Sequence, residues 1–275
     1  MNLTPGVDRH NRDVVERSES RGAETRRTGK KPAGPGVPRL EKVLVELTRA
    51  CNLRCVHCAV SSPGYVGRSL PWPAFERLLP TLRRLRPAVE LSGHGESLVH
   101  KRFFDAFSEV VAAGCSVSFI TNAMLLTPGL VERMLACPGP GRWSGLAVSI
   151  DAAEPETFER LRRGARLETI LENLEALRDR RRTLGLDHPA VTFNTVVMRD
   201  NARQLDGIVR LAARVGAASV TLVELLEYEH FAGHGPREVL EEVRAGVADA
   251  RREAARSGVQ LVVMPGLADL LGEKA

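Results

Sequence analysis

Aromatic side chains make up only 4% of these 275 residues. The core must therefore be built from Leu, Val, Ile and Ala, and no basic stripe with interleaved aromatics is available to stack on nucleic-acid bases. Cysteine is scarce as well. Five in the whole chain are too few for a disulfide scaffold, and three of the five crowd into one short stretch, a pattern of metal chemistry in a reducing compartment. No run of about 18 uncharged apolar residues exists, which excludes a membrane-spanning helix. No apolar run of roughly 7–15 residues follows the basic start, which excludes a signal peptide. A cytoplasmic protein with neither a membrane nor a nucleic acid as partner is expected. The formal charge of +5 says little, because residues 1–39 are visibly rich in Arg and Lys.

Those first residues lack hydrophobic periodicity and are rich in Pro and Gly, so 1–39 reads as a disordered leader and 40–275 as one folded domain. After Leu40 short β-branched runs alternate with amphipathic stretches. The runs are 42–48, 88–93, 116–122, 145–151, 190–198, 218–226 and 259–264. The helical stretches are 72–85, 103–114, 127–137, 166–185, 201–216 and 237–258. Gly185 and Gly216 stand where helices stop. Alternation at intervals of about 30 residues argues for parallel βαβ units with right-handed crossovers. Six complete units and a seventh strand fit the length, an open partial α/β barrel of the (βα)6 kind. An open doubly wound sheet would give the same alternation.

The unusual polar residues fall at or near the C-terminal ends of these strands, where such folds place their sites. Cys51, Cys55 and Cys58 ("CNLRCVHC") follow the first strand and "GHGES" (93–97) the second. "TNA" ends the third strand and "SID" the fourth. Asn194 lies in the fifth, and Glu224 and Glu227 close the sixth. The spacing C-x3-C-x2-C can wrap one metal centre with three thiolates. Structural zinc takes four ligands, commonly with a second pair far along the chain, and no such pair is present. An iron–sulfur cube on three thiolates leaves one iron open to an exchangeable ligand. A three-cysteine zinc site with His or water as fourth ligand is the alternative.

"CNLRCVHC", then "GHGES", "TNA" and "SIDAAEPETFERLRRG" on successive strands, resembles the radical S-adenosylmethionine (radical SAM) enzymes over about residues 42–226. The resemblance implies a [4Fe-4S] cluster on Cys51, Cys55 and Cys58, with SAM chelating the fourth iron. It implies electron transfer that cleaves the sulfonium C–S bond, and a 5′-deoxyadenosyl radical that takes hydrogen from a substrate. Gly93, His94, Gly95 and Glu96 match the family's GGEP segment, with backbone and Glu96 holding the methionine ammonium. His94 and Ser97 depart from that pattern. Ser149 and Asp151 would contact the nucleoside or carboxylate, and Arg162 would pair with the SAM carboxylate, Arg160 and Arg163 being close rivals in sequence. Asn122 and Asn194 are polar contacts by the same analogy, and His57 stands where the family has an aromatic near adenine. For each of these an ordinary turn, core or surface role is the competing reading.

Cys115 and Cys137 read as structural. "MPGLADLLGEKA" (264–275) brings no cysteine, so no auxiliary cluster is expected. The expected activity is therefore single-cluster radical chemistry on a small molecule or peptide, with an electron donor such as flavodoxin or ferredoxin. Glu224, Glu227, Tyr228, His230 and His234 are candidates to face the substrate. Activation of a protein partner by glycyl-radical formation, a protein partner that completes the site, and a non-catalytic metal-bound scaffold or sensor are the other readings.

Overall fold

The β-branched runs form strands because Val, Ile and Thr fit a pleated surface packed on at least one face. In the computed structural model, which describes residues 40–226 and 228–273, they are β1 (Lys42–Leu44), β2 (Arg54–Cys55), β3 (Ala88–Glu90), β4 (Ser116–Thr121), β5 (Arg142–Ser149), β6 (Arg162–Arg163), β7 (Ala190–Val197), β8 (Ser219–Glu224) and β9 (Gln260–Val263). The expected leader, residues 1–39, and the candidate Glu227 lie outside the described residues. Seven strands make one parallel sheet in the order β1-β3-β4-β5-β7-β8-β9. Each strand pairs with the next one along the chain, and β1 does not meet β9. A doubly wound sheet reverses its strand order at a switch point; this one never does, so the fold is the open partial barrel.

The helices are α1 (Trp72–Glu76), α2 (Leu79–Leu85), α3 (Phe103–Ala112), α4 (Pro128–Leu135), α5 (Pro155–Leu161), α6 (Leu167–Thr183), α7 (Leu205–Arg214), α8 (Leu240–Ser257) and α9 (Pro265–Leu271). Their apolar residues recur at helical spacing and face the sheet. In α7 the buried set includes Leu205, Ile208, Val209 and Ala212; in α8 it includes Val243, Val247, Ala250 and Ala254. The few aromatics are concentrated where α3 meets β4 and β5. Phe103 meets Phe119 edge-on at 5.1 Å, and Phe119 stacks on Trp143 at 5.6 Å. Gly185 and Gly216 do close their helices, with φ of +64° and +69°.

Several elements differ from the sequence reading, among them the short strands β2 and β6. The stretch 72–85 is two helices, α1 and α2. Pro80 has no N–H to give to the preceding turn, and its ring clashes with the carbonyl four residues back. The first strand pairs only through Leu44, although Val45 N–H still reaches Glu90 O at 2.8 Å. Beyond it the chain turns to meet residues 93–96 and 68–70. Two helices were not expected: α5, after β5, and α9, after the last strand, announced by Pro265 at its start and by Gly272 past its end with φ +76°. No helix among the described residues is long and apolar enough to cross a membrane.

Candidate active site

The cysteine loop leaves the end of β1 and is held down at its middle. Residues Arg54–Cys55 form a two-residue antiparallel ladder with Arg162–Arg163, with Cys55 opposite Arg162 and Arg54 opposite Arg163. Val56 N–H extends the contact to Leu161 O at 2.9 Å. Two partners on a ladder point to opposite sides at successive residues. Arg162 therefore turns inward, where it is 7% exposed, while Arg163 turns out to solvent. The three neighbouring arginines, alike in sequence, are separated by this register. Arg160, on α5, pairs with Asp200 at 2.7 Å.

Inward, Arg162 meets two groups. Its Nη1 donates to Cys55 Sγ at 3.7 Å, and its Nη2 lies 2.7 Å from Asp151 Oδ2 in an ion pair. Asp151 is fully buried. Its Oδ1 accepts from Val196 N–H at 2.9 Å, and its Oδ2 is 3.3 Å from His57 Nε2. Burial alone would raise the Asp151 carboxyl. The guanidinium of Arg162 and the His57 ring outweigh it and hold the group down at about 2. Asp151, Arg162 and His57 thus form a buried charged unit under the cysteine loop. The His57 ring also meets Phe231, tilted at 55° with centroids 6.3 Å apart.

Cys51 accepts from Leu53 N–H at 3.3 Å and from Asn122 Nδ2 at 3.9 Å. Asn122, just past the end of β4, also donates to Asn52 Oδ1 at 2.9 Å, so it ties that strand to the loop. Cys58 is half-buried on the same loop. Burial pushes the Cys51 thiol up, and the Cys55 thiol up to about 11. Among the described residues no group of three or more His, Cys, Asp or Glu could hold a single metal ion. Three soft sulfur donors on one loop, two of them receiving N–H donors that favour thiolate, fit a cluster shared among Cys51, Cys55 and Cys58.

The Gly93–Glu96 segment packs tightly on the chain that leads into the loop. A Cβ on Gly95 would lie 2.4 Å from Thr48 O and 2.5 Å from Ala50 O, and one on Gly93 would meet the Glu46 side chain. His94 N–H donates to Glu46 Oε1 at 2.7 Å. Glu96 N–H donates to Ala50 O at 2.9 Å. The Glu96 side chain is buried and engaged: Asn122 N–H, Thr121 Oγ1 and Leu98 N–H all donate to it, at 2.7, 2.9 and 3.1 Å. Burial still raises its carboxyl above the usual range. Gly95→Ala is expected to push this backbone off residues 48–50 and to cost about 1–3 kcal/mol in urea unfolding, as overpacked sites do; an unchanged midpoint would contradict the close packing.

Ser149 and Asn194 sit opposite each other in register on β5 and β7, half-buried, on the sheet face away from Val148 and Ile150. Glu224 pairs with Arg237 at 3.3 Å. His230 approaches Ser62 Oγ at 3.3 Å, and His234 bonds Asp200 at 2.8 Å. These two histidines line a cleft of about 1020 Å³ that Cys51 also lines. Cys115, at the opposite end of β4, is buried and donates to Leu82 O at 3.6 Å. Sequence reasoning missed Glu46 and Asn201, and assigned no role to Asn52 and Thr121. Asn201 donates to both Asp151 O and Val196 O, at 2.7 Å each, and so fixes the turn that carries Asp151. Glu46 carried a signal, a lone acid inside the apolar run 42–48; Asn52 and Thr121 carried only their place in "CNLRCVHC" and "TNA", and Asn201 carried none.

Known proteins resemble this chain in sequence and in fold. The chain is 30% identical over 172 residues to mycofactocin maturase MftC of Mycolicibacterium smegmatis, covering 62% of this chain and 41% of that protein. It is 34% identical over 186 residues to AdoMet-dependent heme synthase of Methanosarcina barkeri, covering 66% and 49%. The chain thus spans about half the length of the curated relatives it matches. Its fold superposes on Streptococcus suis SuiB bound to precursor peptide SuiA with a TM-score of 0.63 at 15% identity, over 82% of this chain and 48% of that one. It superposes on anSMEcpe with bound AdoMet with a TM-score of 0.62 at 14% identity, over 86% and 68%. Residues 45–212, more than half of the chain, match the family model for the Radical SAM superfamily, and the chain belongs to that superfamily, whose cofactors are a [4Fe-4S] cluster and SAM.

Proposed function

We propose that this chain is a radical SAM enzyme that abstracts hydrogen from a peptide substrate. The observation that carries the reading is the loop of Cys51, Cys55 and Cys58 pinned over the Asp151–Arg162–His57 unit at the C-terminal ends of the strands. When bound, the reduced cluster supplies the electron that cleaves SAM, and SAM supplies the 5′-deoxyadenosyl group that takes the hydrogen. The chain's own residues hold and shield these groups. The three cysteines bind iron, and Asn122 and Arg162 fix the sulfurs of Cys51 and Cys55. The segment Gly93–Glu96 offers backbone to the methionine ammonium, since the Glu96 carboxylate is already occupied by three donors. Ser149 and Asn194 face the same side of the sheet and supply polar contacts to the nucleoside. With Arg162 committed to Asp151 and Cys55, its part is to support the cysteine loop from below, and pairing with the SAM carboxylate gives way to that role. An external one-electron donor of the flavodoxin or ferredoxin kind completes the scheme.

A peptide is favoured because the cleft beside Cys51 is large and open, and because a maturase and a precursor-peptide complex stand among the similar proteins. A small-molecule substrate is the second reading, motivated by the heme synthase at 34% identity. Incubation of the reconstituted enzyme with SAM, reductant and candidate peptides distinguishes them: a peptide that changes mass and raises 5′-deoxyadenosine output supports the first. Turnover stimulated by small molecules alone, across a peptide library that stays unmodified, supports the second.

Residues 40–275 form the catalytic domain in this proposal. A chain that begins at residue 40 is expected to keep its cluster and cleave SAM at the full-length rate. A folded truncation that binds the cluster and has lost cleavage would show that residues 1–39 take part.

A further inference from the structure

The short ladder that pins the cysteine loop sets two arginines directly across from each other. Arg54 and Arg163 are register partners, both exposed. Like charges directly opposite on a ladder destabilise it. Neither has a carboxylate within ion-pair distance among the described residues. Arg54 Nη1 donates to Cys51 O at 3.0 Å and to Leu53 O at 2.8 Å, which fixes its guanidinium and leaves Nε and Nη2 without acceptors among those residues. Both arginines line the cleft beside Cys51, as do Arg49 and Arg160. Asp200 is the one acidic residue lining it among the described residues, and it is already held by Arg160 and His234. Arg49 has a loose contact at 3.9 Å to Glu46 and otherwise leans over the Tyr65 ring. The cleft therefore carries, at Arg54 and Arg163, positive charge that no carboxylate among the described residues meets, over a wall of Val56, Val60, Leu161 and Phe231.

We propose that this cleft is an anion-binding groove in which Arg54 and Arg163 receive the carboxylates of an acidic peptide segment. The proposal rests on the peptide-substrate reading above and names the chemistry of that substrate. A guanidinium fork matches a carboxylate bidentately, and two forks side by side match two acids along one extended segment. The concave shape and apolar wall suit a segment that enters. A flat redox partner would meet only the rim. An anion in the groove also offsets the repulsion that the ladder otherwise bears.

The probe is a fluorescein-labelled oligo-glutamate peptide, with oligo-glutamine as its neutral counterpart, titrated by fluorescence anisotropy against the cluster-loaded full chain. The glutamate peptide is expected to bind, to weaken as salt is raised, and to lose about tenfold in affinity in Arg54→Gln/Arg163→Gln. Arg54→Lys/Arg163→Lys, which keeps the charge but not the fork, is expected to bind between wild type and the double Gln variant, and Arg83→Gln, on a remote helix, to keep all of the binding. Equal affinity for the two peptides, or unchanged binding in the double Gln variant with an intact cluster spectrum, overturns the proposal. So does a double variant whose only defect is slower cluster reduction by flavodoxin, because the groove then serves the electron donor. Oligo-glutamate binding with no peptide ever modified would leave the groove standing and remove the peptide reading. Peptide modification indifferent to both arginines would do the reverse.

Discussion

Cys55→Ala is expected to give a folded, colourless protein that forms no 5′-deoxyadenosine above background. Cys55 is the most enclosed of the three loop cysteines at 8% exposure, and its sulfur is the one in contact with Arg162. No other thiol stands near enough in the sequence to replace it: Cys115 lies at the far end of β4, and Cys137 follows α4. The loss should therefore be complete. The fold should survive, because Cys55 contributes a small apolar side chain at the edge of the core and the ladder to Arg162 is made by backbone. The checks are the iron content and visible spectrum after anaerobic reconstitution, together with circular dichroism for the fold. A Cys55→Ala protein that retains a full cluster and cleavage would contradict the assignment.

The second large effect lies beneath the loop. Asp151→Asn removes the charge that faces Arg162 at 2.7 Å and His57 at 3.3 Å. Breaking a buried pair leaves the other charge uncompensated, at a cost of about 3–5 kcal/mol. Asp151→Leu/Arg162→Met, which removes both charges, is expected to recover most of that stability. The same pair makes stability depend on pH. The folded Asp151 carboxyl is depressed from 3.8 to about 2, which corresponds to about 2 kcal/mol. A depressed carboxyl contributes stability above its unfolded value and loses it on acidification. Wild type should therefore be stabilised above about pH 4 and lose this contribution as pH falls toward about 2. Asp151→Asn should show a flatter acid limb. Urea unfolding of the cluster-free protein across that range reads the effect without any cofactor, and parallel curves for the two proteins would contradict the pair. In the loaded protein, Arg162→Met removes an N–H donor from Cys55 Sγ and is expected to make the cluster harder to reduce, since hydrogen bonds to the sulfurs set its potential.

The cysteine loop was legible from sequence because its three sulfurs are neighbours in the chain, and local spacing carries the whole signal. The parallel barrel was legible because seven β-branched runs alternate with amphipathic helices at a regular interval. What lies between these elements was not. Arg160, Arg162 and Arg163 look interchangeable in "RLRRG"; only the ladder to Arg54–Cys55, more than a hundred residues away, turns Arg162 inward and Arg163 out. The acid of "GHGES" reads as a ligand group, and its protein partners Thr121 and Asn122 come from the next strand, which no local spacing shows. Glu46 and His94 meet across 48 positions for the same reason. The break between α1 and α2 was readable from Pro80 and was overridden by the surrounding apolar periodicity.

The loop of Cys51, Cys55 and Cys58 is proposed to hold a cluster that cleaves SAM. This is tested most directly by reconstituting the full chain anaerobically with iron and sulfide, adding dithionite and SAM, and measuring 5′-deoxyadenosine by chromatography. Product that requires each of the three cysteines is the expected result. Zinc in place of iron, or a stable cluster that forms no 5′-deoxyadenosine with or without candidate peptides, would contradict the account.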